Sequence, residues 1–174
     1  MKLLKKLVSA SFLLTAFVSA QAAVYDFGSL STLKTISANV NPGDVNDTFA
    51  FSLGQQSNVT GAAVSVLFAN PFNPSVPLLN LSNGKVELFR ADNSFVNSFT
   101  FDNKAQAGTA FNGLAAGSYF FKVTGKADGA FGGSYTLSSA AVTAPVPEPE
   151  TYALMGMGLV GLLAARRRKA QQAA

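Results

Sequence analysis

The middle of the chain alternates between apolar and smaller or polar residues over short stretches, a period typical of β-strands and not of helices. In the segment 48–53, Phe49, Phe51 and Leu53 share one face. Similar stretches predict strands at 59–68 (with Val64, Val66 and Phe68 on one face), 85–90, 95–101, 118–124 and 134–138. Turn residues punctuate them at Gly43-Asp44, Gly54, Asn83-Gly84, Gly113, Ala116-Gly117 and Asp128-Gly129. Residues 23–143 are therefore predicted to form a single all-β domain, a jelly-roll-like β-sandwich.

Residues 1–22 have the three-part pattern of a secretory signal peptide. A cationic start is followed by an apolar run at 7–18, and Ala20-Gln21-Ala22 then supplies the small residues that signal peptidase requires. Cleavage is expected before Ala23, with an alternative site after Ala20. A permanent membrane anchor is the competing interpretation, but the run is well short of the ~20 residues that span a bilayer.

The C-terminal residues 144–174 combine three features. Proline occupies every second position from Pro145 to Pro149, an apolar segment follows at 152–165, and the basic cluster Arg166, Arg167, Arg168 and Lys169 closes it. As a helix the apolar segment extends about 21 Å, short of a hydrocarbon core of about 30 Å, so it could remain in a membrane only with local thinning or snorkelling. The basic cluster is expected to stay cytoplasmic. An ordinary tail anchor is the alternative.

This order resembles the PEP-CTERM sorting signal, with Val146, Pro147, Glu148 and Pro149 in the recognised motif and the basic cluster as the retaining end. The resemblance implies processing near the motif by exosortase, a membrane-embedded cysteine transpeptidase, in a Gram-negative bacterium that makes exopolysaccharide. The implied partners are signal peptidase, exosortase and, transiently, the inner membrane. The implied destination is the cell surface or the extracellular space.

The middle also resembles the bacterial pre-peptidase C-terminal domain and related jelly-roll modules over roughly 43–137. The likeness lies in Asp47-x-Phe49-x-Phe51, in Val86-x-Leu88-Phe89 before Asp92-Asn93, and in the stretches 114–123 and 133–137. A narrower resemblance is to the PEP-CTERM subfamily named for an F-x-D-x-F motif, through Asp47 and Phe49. Val45 stands where that motif has its first Phe.

The net charge of +4 belongs to the two ends of the chain and not to its middle. Between residues 24 and 147 there are six basic and seven acidic residues, a net charge of −1, so no nucleic-acid partner is predicted. The sequence contains no Cys, His or Trp, which removes disulfides, thiolate chemistry and the commonest general base. Fifteen Phe residues are the obvious source of a core.

Few residues of the middle suggest chemistry. Asp44 and Asp47 could offer oxygens to calcium, although Asp is also an ordinary turn residue. Tyr25, Tyr119 and Tyr135 could form an aromatic platform for sugars, although a core role is favoured for Tyr119 and Tyr135. No cofactor is predicted, because the G-x-G-x-x-G at 156–161 lies in the apolar tail and lacks the strand before it that a dinucleotide site requires.

The sequence thus predicts an exported, non-enzymatic protein of the cell envelope or extracellular matrix. A polysaccharide-binding surface module is the alternative.

Overall fold

The computed structural model describes residues 22–143 and 149–172, which belong to two compact units, a β domain and a C-terminal helical segment. The β domain contains nine strands: β1 (Val24–Ser29), β2 (Lys34–Val40), β3 (Gly43–Leu53), β4 (Ser57–Ser65), β5 (Leu81–Arg90), β6 (Phe95–Phe101), β7 (Thr109–Leu114), β8 (Gly117–Ala127) and β9 (Gly133–Thr143). The helix α1 spans Pro149–Gln172.

The strands form two sheets, in the orders β1-β3-β8-β5-β6 and β2-β9-β4-β7. Four antiparallel pairs are nested one inside the next along the chain: β5 with β6, β4 with β7, β3 with β8 and β2 with β9. Successive pairs belong alternately to the two sheets. The chain is therefore one long hairpin rolled up on itself, which is the jelly-roll arrangement, and the predicted sandwich is confirmed.

Strand β1 stands outside this nested set. It pairs with the edge of the larger sheet by running parallel to β3, with Val24 opposite Thr48 and Tyr25 opposite Phe49. The parallel ladder begins directly after Ala23, whose carbonyl oxygen accepts a hydrogen bond of 2.8 Å from the Thr48 N–H. Ala23 is thus held by the main chain of β3.

Aromatic rings on the inner faces of the two sheets are the largest side chains of the core. Phe51 stacks on Phe121 with ring centroids 5.0 Å apart, and Phe111 of the other sheet lies 5.9 Å from Phe121. The predicted inward set of β3, Phe49, Phe51 and Leu53, is buried. Large ring areas removed from water stabilise a domain that has no disulfides to help it.

Three strands, β1, β2 and β7, were not among those predicted, because their sequences are short or rich in Ser, Thr and Gly. Four of the predicted turns lie wholly or partly inside strands instead, among them Asn83-Gly84 in β5 and Gly117 at the start of β8. Gly43 opens β3, and Gly113 lies within β7 with φ +67°.

The turn predicted at Asn83-Gly84 is a β-bulge in the middle of β5. The register with β8 shifts between Ser82 and Lys85, and Asn83 has a left-handed φ of +54°. Leu81 is buried before the bulge, and Val86 and Leu88 are buried after it, although their spacing is odd in a regular strand. The bulge therefore corrects the phase so that both halves of β5 face the core.

Strand β4 differs from the strand predicted at 59–68 in its bounds. Val59, Gly61 and Ala63 face the core, whereas Val66 and Phe68 lie beyond the end of the strand and are exposed. Small residues are needed inside because the rings of Phe99 and Phe111 cover them: a Cβ on Gly61 would lie 3.3 Å from either ring. The strand predicted at 59–68 therefore extends too far toward the C-terminus, since β4 ends at Ser65.

Gly84→Ala tests the packing at the bulge. An added Cβ would lie 2.7 Å from the carbonyl oxygen of Phe101 on β6 and 2.8 Å from its ring, and the backbone atom cannot move aside cheaply. We expect a loss of about 1–3 kcal/mol in unfolding free energy, measured by urea denaturation. Gly54→Ala is the matched control, because nothing lies within 4 Å of that position. Equal midpoints for the two variants would contradict this account of the bulge.

Candidate functional site

The C-terminal helix begins inside the predicted sorting motif. Pro149 is the first residue of α1, a position that suits proline because its fixed φ is helical and its missing N–H would have no partner there. Val146, Pro147 and Glu148 lie outside the described residues, as does Ala20 of the predicted signal-peptide cleavage site. Ala22 is described and exposed.

The apolar part of α1 exposes its side chains. Leu154, Met157, Val160 and Leu163 each expose more than half of their area, and Gly156, Gly158 and Gly161 leave open space beside them. Within the part of the chain that the structure describes, no helix is both long and apolar enough to cross a membrane. The expected transmembrane helix is therefore not found.

The basic cluster lies in the last two turns of α1, which continues to Gln172. Arg166 is exposed. Positive charge at this end of the helix is favourable, because the carbonyl groups there carry the negative end of the helix dipole.

The G-x-G-x-x-G stretch at 156–161 lies inside α1. A dinucleotide-binding motif would need a β-strand directly before the glycines, whereas the residues before them form the first turns of the helix.

The β domain contains one buried carboxylate, that of Asp47, which is fully shielded from solvent. Its Oδ2 accepts a hydrogen bond of 2.6 Å from the hydroxyl of Tyr135 on β9, and its Oδ1 accepts one of 2.8 Å from the backbone N–H of Ala23. Burial, and then the bond to Asp47, raise the pKa of Tyr135 well above its ordinary range, so the hydroxyl stays a donor. The carboxylate thus links the two sheets and the start of β1.

Rings surround this carboxylate. Phe49 stacks on Tyr25 at 4.6 Å and meets Tyr135 edge-on at 6.2 Å. Tyr25 is half-buried, and its pKa is raised first by burial and second by the negative charge of Asp47. The role of Asp47 as a buried link between the two sheets was not predicted from the sequence. The signal was present, because Asp47 has the same phase along β3 as Val45 and Phe49, which are also buried.

The two calcium candidates lie on opposite faces of β3, because an interval of three residues reverses the side of a strand. Asp44 is exposed on the outer face, whereas Asp47 is directed into the core and already has two partners. The structure does not bring them together. In residues 22–143 and 149–172, no three or more Asp, Glu, His or Cys side chains are grouped to hold a metal ion.

The predicted tyrosine platform is not assembled either. Tyr135 is fully buried, and Tyr119 is buried with its hydroxyl donating to the carbonyl oxygen of Ala115 at 2.9 Å. Only Tyr25 is partly accessible, at the edge strand β1. The two tyrosines favoured for the core are in the core.

An aromatic row that the sequence argument did not identify crosses the outer face of the larger sheet. Phe120 of β8 stacks on Phe89 of β5 with centroids 5.3 Å apart, and Phe89 meets Phe95 of β6 at 5.7 Å. Phe95 is 54% exposed and the other two are half-buried. Phe89 and Phe120 line a surface pocket of about 470 Å³ whose polar members are Asn46, Thr48, Asn93 and Lys122.

Tyr135→Phe tests the buried network. The variant keeps the ring but leaves Oδ2 of Asp47 without its donor, so we expect a loss of about 1–3 kcal/mol in unfolding free energy by urea denaturation. Tyr119→Phe is the matched control, because its hydroxyl is bonded to a carbonyl oxygen and not to a buried charge. A Tyr119→Phe loss as large as that of Tyr135→Phe would refute the special role of Asp47.

Comparison with known proteins finds likeness at two levels. The PEP-CTERM protein-sorting motif matches residues 145–169. No curated protein sequence gives a significant match. Among solved structures, the pre-peptidase C-terminal domain of a collagenase from Bacillus anthracis is 18% identical, with a TM-score of 0.46, over 70% of this chain and 96% of that one. A mutant of PliG-Ec, a periplasmic inhibitor of g-type lysozyme from Escherichia coli, is 11% identical, with a TM-score of 0.39, over 71% and 100%.

The predicted sorting signal is therefore confirmed, whereas the narrower F-x-D-x-F subfamily stays a prediction. The motif indicates export and sorting to the cell surface. A two-sheet β domain precedes it in the chain. The chain carries a PEP-CTERM protein-sorting motif at residues 145–169.

Proposed function

We propose that this chain is an exported, non-enzymatic protein of the cell surface or extracellular matrix, processed at its C-terminus by an exosortase-type transpeptidase. The observation that carries the proposal is the sorting motif matched at 145–169. The division of the chain into two compact units supports it, because the motif matched at 145–169 lies wholly within the second unit, Thr143–Ala174.

The predicted signal peptide supplies the route out of the cytoplasm, and signal peptidase is the first processing enzyme of this proposal. In this proposal the chain is held transiently in the inner membrane. There the apolar part of α1 would lie in a thinned bilayer with the basic cluster on the cytoplasmic side.

A non-enzymatic role fits the residue inventory of the domain. The sequence has no His or Cys, and the fully buried carboxylate is committed to a tyrosine and a backbone N–H. Such an inventory supports a role in binding or structure rather than in acid–base or nucleophilic catalysis.

The sorting proposal is tested by expressing the full chain in one bacterial host with and without its exosortase, and measuring the intact mass of the exported protein. We expect loss of the tail only when the enzyme is present. Glu148→Ala and Pro147→Ala should abolish that loss, and Pro145→Ala, outside the four-residue motif, is the matched control. The tail 144–174 grafted onto an unrelated exported domain should confer the same processing. An identical mass in the two hosts would sink the proposal.

Polysaccharide binding is a second candidate, and the aromatic row of Phe89, Phe95 and Phe120 favours it. Sugars pack their C–H faces on aromatic rings and direct their hydroxyls to amides, and the pocket beside the row offers Asn46 and Asn93. Apolar surface with a few convergent polar groups is typical of ligand sites. The competing explanation is that the rings only stabilise the pairing of neighbouring strands.

Retention on the exopolysaccharide of the producing bacterium separates these explanations. We expect Phe89→Ala and Phe120→Ala to weaken binding about tenfold or more, equivalent to about 1.4 kcal/mol. Phe72→Ala is the matched control, because Phe72 is 95% exposed and remote from the row in sequence. Equal retention of all three variants and the wild type, with the fold of each verified by thermal unfolding, would rule out this surface.

A further inference from the structure

We propose that signal peptidase cleaves the bond between Ala22 and Ala23, and that the α-ammonium group this creates forms an ion pair with the buried carboxylate of Asp47 that completes the folded domain. The inference goes beyond sorting and needs only the export that the proposed function includes.

Asp47 places a carboxylate in the interior of the domain. A fully buried carboxylate is costly unless a positive charge or strong hydrogen bonds compensate it. Among residues 22–143 and 149–172, no lysine or arginine makes an ion pair with Asp47, and the ion pair found there is that of Lys85 with Glu87. Within the described residues, its two oxygens accept hydrogen bonds from neutral donors, the Tyr135 hydroxyl and the Ala23 amide.

Ala23 is held in place next to this carboxylate. Its nitrogen lies 2.8 Å from Oδ1 of Asp47, and its carbonyl oxygen is fixed by the Thr48 N–H. The same nitrogen belongs to the bond that the small-residue pattern at Ala20 and Ala22 offers to signal peptidase. The nitrogen of Ala23 therefore belongs both to the predicted cleavage site and to the hydrogen bond with Asp47.

Cleavage changes that atom chemically. Water adds across the Ala22–Ala23 peptide bond, the carbonyl carbon of Ala22 becomes a carboxylate, and the nitrogen of Ala23 leaves as an amine that holds a proton near neutral pH. The hydrogen bond that Asp47 now accepts from a neutral amide becomes an ion pair, because the donor gains a positive charge 2.8 Å from the carboxylate oxygen. The attraction between opposite charges is then added to the hydrogen bond, and it is stronger at a partly buried site than in water.

The surroundings suit an ammonium group. A pocket of about 460 Å³ opens beside it, lined by Ala22, Ala23, Tyr25, Asn39, Val40 and Asp47. Departure of Ala22 widens this opening, so solvent can satisfy the ammonium protons that do not bond to Asp47. The titratable groups that face the site are Asp47 on β3, Tyr25 on β1 and Tyr135 on β9.

Cleavage after Ala20 would leave two more residues on the chain. Ala23 would then keep a neutral amide, and the ammonium group would lie two residues away from Asp47. The geometry thus distinguishes the two sites that the sequence leaves open, and it favours the one before Ala23.

The test uses the full chain exported and processed by its host. N-terminal sequencing is expected to begin at Ala23. A second chain carries Gly-Ser inserted between Ala22 and Ala23, so that processing leaves an extension as long as the alternative cleavage would leave. We expect its melting temperature to be lower by about 5 °C. Asp47→Asn should lower the melting temperature more in the native chain than in the extended one, because only the native chain loses an ion pair.

The pH dependence of the difference in melting temperature between the native and extended chains is a second measurement. It would stay flat if Asp47 had only a structural role. The carboxylate favours the protonated amine in the folded state, so the advantage of the native chain over the extended one is full at neutral pH. It is lost as the pH rises above the ordinary α-amino range of about 8. Tyr25 and Tyr135 do not interfere in this window, because the pKa of each is raised.

An exported chain that begins at Gln21 would overturn this inference and leave the proposed function intact. Native and extended chains of equal stability, with equal effects of Asp47→Asn, would also overturn it. A chain that is not exported, and still begins at Met1, would overturn both proposals.

Discussion

The carboxylate of Asp47 is a charge placed among phenylalanine and tyrosine rings, and the neighbouring parts of the domain are arranged around its requirements. Tyr135 reaches it from the opposite sheet, and Ala23 reaches it from the beginning of β1. A buried charge tolerates few geometries, since a lost partner leaves an uncompensated group in an apolar core. Asp47 therefore constrains how β3 meets β9 and where β1 starts, whereas the buried apolar side chains around it supply the non-directional stabilisation.

The fold class and most strands could be predicted from the alternation of residues, because the Phe-rich strands bury one face and expose the other. The wrong predictions concerned local features of individual strands. Asn83-Gly84 is a turn pair in most contexts, and only the pairing of β5 with both neighbours turns it into a bulge. The small inward residues of β4 are explained by rings that come from distant strands, a fact no local window contains.

The sites were predictable to different degrees. The sorting motif is a linear signal, so its residues are adjacent in sequence and could be identified without knowledge of the fold. Asp47 was judged by its residue type, as a turn or calcium residue, although its phase along the strand was that of the core. The row of Phe89, Phe95 and Phe120 comes from three strands, and it becomes visible only when the register of the sheet is known.

The nested hairpin has a consequence for how the domain assembles. Strands β5 and β6 are joined by a tight turn, whereas the bond between Thr35 of β2 and Ser138 of β9 joins residues 103 positions apart. The entropy lost on closing a loop grows with its length, so the cost of pairing rises step by step from the tip to the ends. Long-range pairs of this kind slow folding. The pair with the longest loop to close is β2 with β9, and β9 is the strand that leads into the sorting tail. A chain held at its C-terminus would therefore be hindered in the pairing that has the highest entropic cost.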